Sequence, residues 1–217
     1  MKKEAMKEAY VLSEQQYHKC MEFHGHVCPG LSIGFRAAQA GLDWLKENRA
    51  EDEELVAIVE TDACGADAIQ VLTGCTFGKG NLLHRDYGKQ AFTLLGRRTG
   101  RGVRVCLRPG ALELTERHRQ LMERIQGNEA TKEERNEFGR LHQQKSREIL
   151  EKPLRELFTL KEISQVLPLK ARIEPSRPCQ VCREPVMASK IQIRHEKEIC
   201  RSCLEEKGAF FTDYPRR

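Results

Sequence analysis

Four cysteines near the C-terminus constrain this chain more than any other feature. Cys179-Gln-Val-Cys182 and Cys200-Arg-Ser-Cys203 are two C-x-x-C pairs, 17 residues apart. That spacing supplies four thiolates to a tetrahedral Zn²⁺. The tail around them, roughly forty residues, cannot bury much apolar area, so the ion would be its main stabiliser. A hairpin is expected over residues 186–193 and a terminal helix beginning over 203–207, which is the order of a treble clef. Such a module binds nucleic acid, protein or nothing, and the ion itself is structural.

The chain holds nine cysteines, an odd number, and four of them sit in the paired units. This favours metal ligation in a reducing cytoplasm over a disulfide framework. Residues 1–8 are charged and have no apolar signal core, so secretion is not expected. No apolar run approaches the roughly 20 residues that cross a bilayer. The formal charge of +5 falls to +3 once four thiolates and a Zn²⁺ are counted. Lysines and arginines alternate with acids, which reads as a solvated face rather than a nucleic-acid footprint. The length of 217 residues fits one domain, assigned to residues 1–170, and a small appendage, 171–217.

The second feature is His24-Gly-His26-Val-Cys28-Pro-Gly30. It places two imidazoles and a thiol within five residues, a set suited to a metal or a reactive thiol. The plain alternative is satisfied histidines and a buried cysteine. Being two apart, His24 and His26 face opposite ways if that segment is extended, so the residues alone do not say which points inward. Pro29 suits the first turn of a helix. Leu31, Phe35, Ala38, Leu42 and Leu45 continue it as one buried stripe. Cys28 therefore sits at a helix start, where the dipole favours thiolate.

Residues 55–60 read as a buried strand, and 64–72 as a short helix closed by Gly74. Cys64 lies at that strand-to-helix turn and Cys75 at the other end. A helix of ten residues is about 15 Å long, so both thiols reach one ion only if the chain folds back. His26, Cys28, Cys64 and Cys75 are the candidate donors. Asp62 and Asp67 flank Cys64. Either is a candidate acceptor for a ligand histidine or plain helix-start decoration. Residues 74–80 are not a P-loop, because the first glycine is one residue too close and Gly80 replaces the Ser/Thr; a tight turn is favoured over an anion cradle.

Residues 82–87, 91–97 and 103–107 read as strands. Residues 112–150 read as a helical hairpin with a Thr131/Glu134 capping box, and 160–178 as a linker with short strands around Ile173. Cys20, Cys106 and Trp44 are assigned to core packing. His84, His118 and His142 have no clustered partner and receive no role.

The blocks His24-Gly-His26-Val-Cys28-Pro-Gly, Cys64-Gly-Ala-Asp-Ala-Ile-Gln-Val-Leu-Thr-Gly-Cys75 and Thr76-Phe-Gly-Lys-Gly-Asn-Leu82, in that order, resemble the FmdE family, which takes its name from a component of formylmethanofuran dehydrogenase. The resemblance spans about residues 10–205. It implies an α+β fold: a mixed, roughly five-stranded sheet flanked by helices, thioredoxin-like, followed by a treble-clef zinc finger. It implies a core site able to hold zinc or another transition metal, and a homodimer. Carried over residue by residue, that site is His26, Cys28, Cys64 and Cys75, with His24 and His18 nearby. The dehydrogenase chemistry itself resides in a separate molybdenum or tungsten pterin protein, which nothing here resembles.

Three functions follow as expectations. The first is a cytoplasmic zinc protein that accompanies a molybdenum or tungsten enzyme of one-carbon or formate metabolism as an accessory or maturation partner, docking through the finger. The second is a free-standing zinc- or thiol-dependent enzyme, with His24, Cys28 and Asp67 as catalytic candidates. Nucleic-acid binding through Arg183, Lys190, Arg194 and Arg201 ranks last, because Glu184, Glu196 and Glu198 dilute that field.

Overall fold

Residues Leu55–Val59 are buried at all five positions. A strand with no polar face belongs inside a sheet covered on both sides. They form β1, parallel to β2 (Leu82–His84) and antiparallel to β3 (Ala91–Gly96). β4 (Gly102–Leu107) and β5 (Phe158–Ile163) complete a mixed five-stranded sheet, ordered β2-β1-β3-β4-β5. The expected α+β core with a mixed five-stranded sheet is therefore present. The computed structural model describes residues 2–164, 167–194 and 196–205, with side chains from Ser13 onward. It divides into two compact units, Met1–Lys170 and Ala171–Arg217.

β5 departs from the reading of residues 160–178 as linker. It pairs with β4 from Phe158 opposite Leu107 to Ile163 opposite Gly102. Only Phe158 is buried in it. An edge strand with one anchored end shows little alternation, so its sequence resembles loop.

The helices pack mainly on one face. α1 is Lys2–His24 and α2 is Pro29–Leu45. α2 is wider in its burial than one stripe: Ile33, Gly34, Ala37, Ala40 and Gly41 are covered as well as Leu31, Phe35, Ala38 and Leu45. It is a central helix with neighbours on several sides. These are β4, α3 (Gly65–Thr73) and α5 (Lys132–Glu151). α4 (Glu116–Gln126) packs on α5, and the Thr131/Glu134 capping box starts α5 as expected. The helical hairpin thus packs on α2. The short α6 (Leu154–Leu157) leads into β5. Cys20 is fully buried, and burial pushes its thiol up to about 12. Trp44 packs at the core edge beneath the Arg101 guanidinium, 4.3 Å from the ring centre. On the other sheet face Val56, Ile58 and Leu95 pack with Leu83, Ile163 and Leu167.

In the second unit β6 (Ser176–Pro178) pairs antiparallel with β7 (Pro185–Met187), and β8 (Ile191–Arg194) with β9 (Lys197–Cys200). α7 (Arg201–Glu205) follows. The hairpin expected over 186–193 is displaced: residues 185–187 pair back across the first cysteine turn, and the hairpin proper is β8–β9. Ile173 is exposed and in no strand. The expected continuation of the last helix past Glu205 lies outside the described residues.

Candidate metal centres

In the second unit the β6–β7 connection carries Cys179 and Cys182, and the β9–α7 junction carries Cys200 and Cys203. Cys179 and Cys182 bracket a turn, whereas Cys200 ends β9 and Cys203 lies in the first turn of α7. All four Sγ atoms lie within 4.8 Å of one another. Cys182 Sγ and Cys200 Sγ are 3.8 Å apart. A tetrahedron with Zn–S bonds of about 2.3 Å has edges of about 3.8 Å, so the set fits zinc. Backbone amides already face the sulfurs: Val181 N–H and Cys200 N–H donate to Cys179 Sγ at 3.4 and 3.3 Å. The Cys200 amide, with others, lowers Cys179 to about 6. Cys182 and Cys203 are raised, the latter mainly by Cys200 beside it. Four thiolates cannot share this space alone, and a divalent cation removes the conflict.

The core cluster is assembled from the ends of three helices. α1 ends at His24, where Gly25 turns the chain at φ +91° and its N–H bonds to the Met21 carbonyl at 2.8 Å. His26 follows in the connection. Cys28 is the N-cap of α2, and its sulfur accepts from Leu31 N–H at 3.3 Å. Cys64 is the N-cap of α3, and Asp67 lies in that helix's first turn. Two glycines bring the helix starts together. A Cβ on Gly34 would lie 2.2 Å from the Gly65 carbonyl oxygen, so α2 and α3 touch backbone to backbone there. One turn earlier, a Cβ on Gly30 would lie 3.7 Å from Cys64 Sγ and 3.9 Å from Cys28 Sγ. The two thiols therefore flank Gly30. The Gly30-x-x-x-Gly34 spacing was the sequence signal for this close approach.

Donor atoms of His24, His26 and Cys28 fall within 4.8 Å of one another. His24 Nδ1 is 2.7 Å from Asp67 Oδ2. The carboxylate accepts, so Nδ1 carries the proton and Nε2 keeps its lone pair. That Nε2 is 3.7 Å from Cys28 Sγ, against about 3.6 Å for an N···S edge of a tetrahedral zinc site. The His26 ring lies 4.3 Å from that of His24. His24 is half-buried and His26 exposed, and each brings a ring nitrogen to the cluster. Asp67 is the residue that holds His24, with Gln70 Nε2 donating to its other oxygen at 3.5 Å.

Cys28 does not behave as a helix-start thiolate. Burial pushes its thiol up to about 11, against the pull of the Leu31 amide and reinforced by Cys64. Desolvation outweighs the helix dipole because the residue is only 5 % exposed. A metal ion is the natural replacement for that proton.

Some expected residues lie elsewhere. Cys75 is fully buried at the far end of α3, beside Thr73, and the structure does not bring it to the cluster. His18 is exposed and pairs with Glu22 at 3.4 Å. Lys79 donates to the carbonyls of Glu51 and Asp52 at 3.3 and 3.0 Å, so residues 74–80 form a bonded turn rather than an anion cradle. Conversely, His118 and His142, read as isolated, are joined by a 2.6 Å contact between Nε2 and Nδ1. They come from α4 and α5, 24 residues apart, and no local pattern could have paired them. Burial first, then the charges of His118 and His26, hold His142 down to about 4.

Known proteins share this architecture. A solved structure from Syntrophus aciditrophicus, described as a tungsten formylmethanofuran dehydrogenase FmdE-like protein, superposes with a TM-score of 0.59 and 25% sequence identity, covering 91% of this chain and 95% of that one. A curated relative from Archaeoglobus fulgidus, named a probable S-adenosyl-L-methionine-binding protein, is 30% identical over 185 residues. That match covers 80% of this chain but 49% of the relative, so the chain spans about half its length. Residues 23–159, well over half of the chain, match the family model described as FmdE, molybdenum formylmethanofuran dehydrogenase operon. The chain, with its mixed sheet and its His24/His26/Cys28 cluster, belongs to the FmdE family.

Proposed function

We propose that this chain is a two-ion metalloprotein that serves a molybdenum or tungsten enzyme of one-carbon or formate chemistry as an accessory or maturation partner. Cys179, Cys182, Cys200 and Cys203 hold a structural Zn²⁺. His24, His26 and Cys28 hold a second Zn²⁺ or another transition metal, with Cys64 as the adjoining thiol. The observation that carries the reading is the core cluster itself: three donors within 4.8 Å, one of them held from behind by a carboxylate. The family description ties it to an enzyme operon, which supports protein partners. Residues 171–217 are the docking module in this reading. Two of their seven arginines pair with acids, Arg177 with Glu198 at 2.9 Å and Arg201 with Glu205 at 2.5 Å, and Glu184, Glu196 and Glu198 dilute the basic field, which suits a protein better than a polyanion.

Metal content per chain tests the proposal. Full-length protein is expected to hold two ions, and Cys179→Ser/Cys203→Ser to hold one. A single ion that disappears in that variant would leave the core without a metal role. Recovery of a pterin enzyme or its maturation factors by pull-down from native cells tests the partner, and consistent failure to recover either would sink it.

A second reading, a free-standing metalloenzyme, is favoured by one observation: three clustered donors rather than four, which leaves a position for substrate. Zinc bound there supplies Lewis acidity. The Asp67–His24 pair holds a proton at Nδ1 and keeps Nε2 aimed at Cys28. A thiol-redox version gains no support, because a thiol 5 % exposed and raised to about 11 is a poor nucleophile at neutral pH.

A further inference from the structure

Between α1, α2 and α3 the first unit holds a cleft of about 660 Å³ that is lined by none of the metal donors. That is the size of a small-molecule site. Phe23 of α1 lies on it, 59 % exposed, with the half-buried Leu42 and Val71. A large exposed ring beside aliphatic side chains offers its face to another ring.

The charges on the cleft narrow the ligand. Lys19 stands one turn before Phe23 on α1 and, among the described residues, has neither a hydrogen bond nor an ion pair. Arg49 donates from Nε to the Val71 carbonyl at 3.0 Å, which fixes it against α3 while its two terminal nitrogens have no partner among the described residues. Two acids, Asp43 and Glu47, also line the cleft, and Glu47 is already paired with Arg98 at 3.3 Å. Two cations against Asp43 and a neutralised Glu47 suit a single negative charge and disfavour a doubly charged phosphate.

The cleft also touches the support of the core cluster. Phe23 immediately precedes His24 on α1. Gln70, on the cleft, donates from Nε2 to Asp67 Oδ1 at 3.5 Å, and the other Asp67 oxygen holds His24 Nδ1 at 2.7 Å. We propose that this cleft binds a planar aromatic molecule carrying one carboxylate or sulfonate, its ring on Phe23 and its anion held by Lys19 and Arg49. Gln70 passes its occupancy to His24 through Asp67, so ligand and core ion change each other's affinity by the same factor. The binding half stands on the cleft alone; the coupling half rests on the core metal reading above.

The probe is 8-anilinonaphthalene-1-sulfonate, an aromatic monoanion, titrated into zinc-loaded, full-length protein and followed by its fluorescence. One site per chain is expected. Phe23→Ala should weaken it about tenfold and Lys19→Gln about fivefold. Both side chains are exposed, and an unchanged melting transition checks that the fold is kept. Ile193→Ser, which removes an apolar side chain 75 % exposed in the second unit, should change nothing. Wild-type affinity in Phe23→Ala, or an equal loss in Ile193→Ser, would overturn the binding proposal. So would a dimer that Phe23→Ala dissolves, because the cleft would then be an interface between copies. For the coupling, the same probe is added to protein carrying Co²⁺ at the core, where the core signal is the part that Cys28→Ser removes. Its visible bands should move in the wild type and stay fixed in Gln70→Ala. Wild-type bands that ignore the bound probe would overturn the coupling and leave the cleft standing. No core signal in the wild type would overturn the metal reading and the coupling together, while the fluorescence titration still decides the cleft.

Discussion

The two cysteine-bearing centres solve the same problem in opposite ways. In the second unit all four donors come from 25 residues of chain, on one turn and one strand-to-helix junction, with amides already aimed at sulfur. Only Cys179 and Cys200 are buried among them, and among the described residues of that unit no other side chain is. In the first unit the donors sit at helix ends that are fixed by a complete core: β1 is buried throughout and α2 on most sides. There the fold makes the site; in the second unit, on the two-ion reading proposed above, the ion would make the fold. The thiols report the difference. Cys179 is lowered to about 6 by backbone amides, whereas burial raises Cys28 to about 11. The core can hold its thiol protonated and stay packed without an ion.

Metal removal is the widest way to separate the two. With chelator, residues 171–205 are expected to lose their structure altogether, since binding free energy is folding free energy in such modules. The first unit should keep its melting transition to within a few degrees. Hydrogen exchange read segment by segment checks both. Loss of protection in β1 and α2 on chelation would erase the contrast.

The next effect concerns how the core site is gathered. Gly34→Ala places a methyl 2.2 Å from the Gly65 carbonyl oxygen, a backbone atom that cannot swing aside. A cost of about 3 kcal/mol or more is expected, with core metal affinity falling as Cys28 and Cys64 are forced apart. The four-cysteine centre should be unaffected. A variant with wild-type stability in chemical denaturation would show that α2 and α3 do not meet as closely as described.

How much of this was legible follows from where the partners lie in the chain. The C-x-x-C pairs and the His24/His26/Cys28 run are local, so spacing alone exposed them. The Thr131/Glu134 capping box is local too, and it formed. Cys64 joined the candidates because a strand-to-helix turn is readable from periodicity. β5 escaped because an edge strand buried at one end has no strong alternation. The His118–His142 pair escaped because it exists only once α4 folds back on α5. The Asp67–His24 bond links residues 43 apart, and sequence could offer Asp67 only as one of two flanking acids.

That bond supplies a graded test. Asp67→Asn keeps the shape and removes the charge that fixes His24 Nδ1–H. Core metal affinity is expected to fall about ten- to a hundredfold, as for other such partners of ligand histidines, while stability changes by under about 1 kcal/mol. Isothermal titration at the core separates affinity from folding. An unchanged affinity would return Asp67 to a plain helix-start residue.

The smallest expected effect is the most discriminating for ligand identity. Cys75 belongs to the same sequence block as Cys64, yet the nine residues of α3 stand between them, a rise of about 13 Å. Its thiol is fully buried and raised by that burial, against the pull of the Thr73 hydroxyl. A cysteine so placed acts as a small apolar side chain. Cys75→Ala should therefore leave both ions in place with unchanged affinity, and cost about 1 kcal/mol for the lost sulfur contacts. Cys64→Ala, removing a thiol of the same block that flanks Gly30 beside Cys28, should instead alter the Co²⁺ spectrum of the core. If the two substitutions exchanged these outcomes, the ion would have to sit at the C-terminal end of α3, and the helix starts would be scaffolding only.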